Sequence, residues 1–72
     1  MTTLATARSN RYNARLGARM TRAFEKRDAA LAMRILSEAS TATDENNALV
    51  AAREAGFQYG YEDQVLRIYV AV

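Results

Sequence analysis

The chain has 72 residues, with ten Lys or Arg against eight Asp or Glu, a net charge of +2, and no His, Cys or Trp. That composition removes His- or Cys-based catalysis, Ser-His triads, disulfides and the His or Cys ligands of ordinary zinc sites. Half of the residues are hydrophobic, but fifteen of them are Ala, which bury little area each, so a single small domain near the lower size limit is expected and self-association is a common remedy.

No apolar run approaches the roughly 20 residues of a membrane span. The first residues, with charges following a short apolar part, do not read as a secretory signal. Absence of Cys fits a reducing compartment. A cytoplasmic protein with no membrane partner is expected.

Charge is unevenly distributed. Residues 1–27 hold seven cations and one acid, a net +6, whereas residues 28–72 hold three cations and seven acids, a net −4. Nine of the ten cations are Arg, which makes bidentate contacts with phosphate or carboxylate that Lys cannot.

The first element is a helix over about 5–26, with Thr3 or Thr6 as candidate caps. Arg8, Arg11, Arg15, Arg19, Arg22 and Lys26 follow one another at steps of three or four, which sets them on one helical face. The stripe runs about 27 Å at 1.5 Å per residue. Tyr12, Leu16, Met20, Ala23 and Phe24 form an apolar seam beside it. Gly17 lies on a third, small face and invites close approach of another backbone.

Arg27 and Asp28 read as a tight break, with Asp28 capping a second helix over about 29–40. Leu31, Ala32, Ile35, Leu36 and Ala39 cover most of its circumference, so this helix is expected at the centre. Helices one and two form an antiparallel hairpin.

Thr41 or Thr43 caps a third helix over about 44–55. Asp44 and Glu45 suit its positive first turn, and Gly56-Phe57 reads as a Schellman ending. The last stretch, about 65–72, alternates and is β-branched, which marks a strand with Leu66, Ile68, Val70 and Val72 inward. Residues 57–61 are its candidate partner, through a turn at Glu62-Asp63 or a longer loop. The fold class is therefore α-dominated α+β, with three helices and a C-terminal strand or hairpin.

Two short resemblances occur. Leu16-Gly17, Met20, Ala29 and Met33 fall near the spacing of a tetratricopeptide helical hairpin, a fold that needs about three repeats. Residues 49–57 resemble the end of a leader domain found in precursors of peptide natural products, without the Gly-Gly cleavage site of that family. Neither carries a function or a residue role to this chain.

The Arg stripe is the leading candidate site. It suits either a phosphate backbone or an acidic protein surface, and the chain's own acidic half competes for it. Aromatic interleaving of the kind seen in single-strand binders is missing. Tyr59, Tyr61, Arg67 and Tyr69 form a second candidate, because exposed Tyr near a sheet edge is typical of interfaces. The acid pairs Asp44-Glu45 and Glu62-Asp63 point apart and lack further ligands, so neither a metal, a cofactor nor a catalytic centre is expected.

The reading is a non-enzymatic binding protein, a homodimer, that modulates a larger partner with an acidic surface. Small inhibitors of this kind are common among phage and plasmid regulators. A nucleic-acid-binding protein using the same Arg is the alternative, and a structural homo-oligomer subunit the third.

Overall fold

The computed structural model describes the backbone of residues 4–71 and the side chains of residues 12–71. Its order is α1 (Leu4–Glu25), α2 (Ala29–Ser37), α3 (Ala42–Ala55), β1 (Gln58–Glu62) and β2 (Val65–Tyr69). This is an α-dominated α+β fold in which the two strands form an antiparallel C-terminal hairpin. No helix among the described residues is long and apolar enough to cross a membrane.

Helix α1 starts at Leu4, so Thr6 lies inside it and does not cap it; Thr3 lies outside the described residues. The helix ends in a Schellman motif. The Arg27 N–H donates to the Phe24 carbonyl at 2.8 Å and the Asp28 N–H to the Ala23 carbonyl at 2.9 Å. The left-handed position of that motif is filled by Arg27 (φ 52°) rather than glycine. Its guanidinium lies 4.1 Å from the Phe24 ring centroid and donates to the Phe24 carbonyl at 2.6 Å, which offsets part of the steric cost. Asp28 closes α1 and opens α2: its carboxylate accepts from the Leu31 N–H at 2.9 Å.

Helix α2 stops at Ser37 rather than near Ser40. The Ser37 hydroxyl donates back to the Arg34 carbonyl at 2.6 Å, and the Glu38 and Ala39 N–H groups bond three residues back, which tightens and ends the last turn. Helix α3 starts at Ala42, two residues earlier than expected, because Thr41 and not Thr43 is the cap; its side chain accepts from the Asp44 N–H at 3.0 Å. Gly56 (φ 125°) and Phe57 then close α3 as a second Schellman motif.

The core joins Leu16, Met20 and Ala23 of α1, Ala32, Ile35 and Leu36 of α2, Ala48, Ala51 and Ala52 of α3, Phe57 and Ile68. Helix α2 touches both other helices and β2, but the most extensive helix pairing is α1 on α3. The buried residues of α3 are all Ala, and small side chains allow that close approach. Val50 is exposed. Phe24 meets Phe57 edge-on, with centroids 5.2 Å apart, and so ties the ends of α1 and α3 together.

The strands pair Gln58 with Tyr69, Tyr59 with Ile68, Gly60 with Arg67, Tyr61 with Leu66 and Glu62 with Val65. The turn is therefore Asp63-Gln64, not Glu62-Asp63. Both residues are left-handed (φ 52° and 66°), as a two-residue hairpin turn with the twist of its strands requires. Strand β2 ends at Tyr69 because its partner begins at Gln58; Phe57 is already committed to the helix ending and the core. Val70 still packs against the core, and Val72 lies outside the described residues.

Candidate functional site

Arg15 and Arg22 are exposed on α1, Lys26 is exposed in the turn just past its end, and Arg19 is half-buried. The side chains of Arg8 and Arg11 lie outside the described residues, although α1 spans both positions. Because Leu16, Met20 and Ala23 carry the packing, the cations stay at the surface.

One cation of the row is engaged from within the chain. Arg19 donates through both terminal nitrogens to the two carboxylate oxygens of Glu38, at 2.8 and 2.7 Å. This is the ion pair found among the described residues. The hydrogen bonds to Glu38 raise the Arg19 pKa above its ordinary value. The same bonds, helped by the nearby charge of Arg34, hold the Glu38 carboxyl below the usual range.

Competition for the stripe from the chain's own acidic half was expected from the charge distribution, without Glu38 being singled out. The signal was there: Arg19 lies eight residues before Arg27 and Glu38 ten after Asp28, so an antiparallel hairpin brings them abreast. The remaining acids do not bond Arg15, Arg22 or Lys26 among the described residues.

The second candidate set separates. Strand alternation and the register put Tyr59 and Tyr61 on the face shared with Ile68 and Leu66, and Arg67 and Tyr69 on the opposite face. Tyr61 is 74% exposed, Tyr69 45% and Tyr59 38%, so none is a core residue. Tyr59 also lines, with Arg53 and Gln58, an open cleft of about 410 Å³ beside the start of β1.

No other backbone among the described residues approaches Gly17 closely. A methyl group there would have nothing within 4 Å. It borders a smaller cleft of about 190 Å³ with Asn13, Asn47, Val50, Ala51 and Glu54, between α1 and α3. Among the described residues no three potential ligands cluster as a metal site would require, and no polar or charged side chain is buried. The chemistry that these surfaces carry is electrostatic attraction, bidentate hydrogen bonding from Arg, and aromatic contact.

The chain matches no protein-family model, no curated protein and no solved structure. The residues and their geometry therefore carry the functional reading.

Proposed function

We propose that the chain is a small non-enzymatic binding protein, cytoplasmic, that modulates a larger protein by docking the Arg face of α1 on an acidic surface. The observation that carries the reading is Glu38 in the middle of that face, bonded to Arg19. A phosphate backbone running along the helix meets uniform negative charge and is repelled by a carboxylate there. A protein surface of mixed sign tolerates it, and Arg15, Arg22 and Lys26 remain open to acidic side chains on either side. The seven cations against one acid in residues 1–27 give the field that steers such a partner.

The test is affinity capture with wild type and with Arg15→Glu/Arg22→Glu, followed by direct titration of each captured protein after purification. Neither variant position bonds an acid among the described residues, so far-UV circular dichroism should be unchanged. An acidic protein bound by wild type and lost by the variant supports the reading. Identical partners for both proteins, or binding to duplex DNA alone with a steep salt dependence, refutes it.

A further inference from the structure

We propose that two copies of the chain join edge to edge through β1, antiparallel about a two-fold axis at Gly60, to make one four-stranded sheet. The two-residue turn fixes the phase of the ladder. Glu62 and Val65 form the closing hydrogen-bonded pair, so Glu62, Gly60 and Gln58 turn their backbone groups toward β2, and Tyr59 and Tyr61 turn theirs away.

The outer edge of β2 is partly covered, because the Ile68 N–H donates to the Met33 sulfur of α2 at 3.2 Å. The outer edge of β1 has no such cover: among the described residues the sheet ends there, and Tyr59 and Tyr61 enter no further backbone hydrogen bond.

The segment Tyr59-Gly60-Tyr61 reads the same in both directions. Antiparallel self-pairing centred on Gly60 sets each Tyr59 opposite Tyr61 of the second copy. The outward N–H and C=O groups of both residues then meet their complements, and the tyrosine rings form cross-strand pairs on one face. Gly60 has no positive φ, and a methyl group added there would touch nothing within 4 Å. The single chain therefore gives no reason for a glycine in this strand. Close approach of a second backbone is such a reason.

The charges also match. This register places Glu62 of the second copy opposite Gln58, at the mouth of the cleft that Arg53 shares with Gln58 and Tyr59. Each copy thus offers a cation where the other brings an acid. A two-stranded ribbon is marginal in water, and doubling it to four strands removes that weakness. The inference is independent of the partner proposed for α1.

Sedimentation equilibrium of the full chain, from micromolar to hundreds of micromolar, should show a monomer–dimer equilibrium. Tyr61→Pro removes an N–H that β2 does not use and should leave a monomer with unchanged helical circular dichroism. If that variant loses helix content, Tyr61→Lys takes its place. Arg53→Glu and Glu62→Arg should each weaken the dimer by about tenfold through two symmetric contacts, and the double reversal should restore it. A wild-type monomer at every concentration overturns the proposal. A dimer indifferent to the edge variant, or single reversals that the double does not rescue, overturns it equally.

Discussion

Gly56→Ala tests whether the joint between α1 and α3 holds the fold. At φ 125° Gly56 occupies a conformation that residues with a side chain rarely adopt, and its Cβ would lie 2.6, 2.7 and 2.9 Å from Cζ, Cε1 and Cε2 of Phe24. The ring has little freedom to yield, because Phe57 meets it edge-on and the Arg27 guanidinium lies over it. Backbone strain of about 1–2 kcal/mol and overpacking of about 1–3 kcal/mol together give about 2–5 kcal/mol. A domain of this size has about 4–11 kcal/mol in total. At roughly 4–8 °C per kcal/mol, the melting midpoint should fall by at least about 8 °C, and the upper end of the range leaves the chain unfolded. Gly17→Ala is the opposed control. It sits in the α1 interior with open space around it, and should raise stability by about 0.5–1 kcal/mol. Thermal melts by far-UV circular dichroism, at one protein concentration, read both. A Gly56→Ala midpoint within about 2 °C of wild type would show that the Phe24 ring relaxes and would refute the argument.

Gln64→Gly should stabilise the hairpin by about 1 kcal/mol, because Gln64 holds a left-handed turn position (φ 66°) where glycine has no steric cost; an unchanged or lower melting midpoint contradicts this. The Arg19–Glu38 pair makes a pH prediction. Glu38 has a lowered pKa in the folded chain, so the contribution of the pair is present above the unfolded carboxyl range and is lost as pH falls through the lowered folded value. An NMR titration of the Glu38 carboxyl should therefore move upward in Arg19→Ala, and coincident curves would remove the pair as the cause.

Much of the fold was legible because local chemistry and tertiary packing agree. Asp28 caps α2, Gly56-Phe57 closes α3, and Ile68 is buried in an alternating strand, each as spacing and residue type imply. The errors came where side-chain size or a backbone conformation overrode pattern. Alanine was credited with little buried area, yet Ala48, Ala51 and Ala52 let α3 press against α1. The hairpin turn was misplaced because Gln is a poor marker of a left-handed position, and only the register reveals that Gln64 adopts one. The tyrosines were grouped by sequence proximity, whereas register divides Tyr59 and Tyr61 from Tyr69. The basic row was readable from its period; the acid that interrupts it belongs to another helix and required the hairpin geometry to be found.

The separation of charge along the chain now has a structural meaning. Had the acidic half folded back on α1, the row would be a self-neutralised surface with nothing to attract. Glu38 bonds Arg19, while Asp44, Glu45, Glu54, Glu62 and Asp63 form no ion pair with the described part of the row. Most of the described part of the row is therefore unpaired within one chain. Pairing through β1 would not neutralise it either, since that edge engages Arg53 and Glu62 and leaves α1 outside the interface. The proposed two-fold dimer would present two Arg rows together. A partner that engages both gains a second contact at high effective concentration, so modest affinity per row suffices for tight docking. On the proposed pairing, the acids near the hairpin would have a role distinct from the Arg: they would select a second copy and leave the Arg row for a different protein.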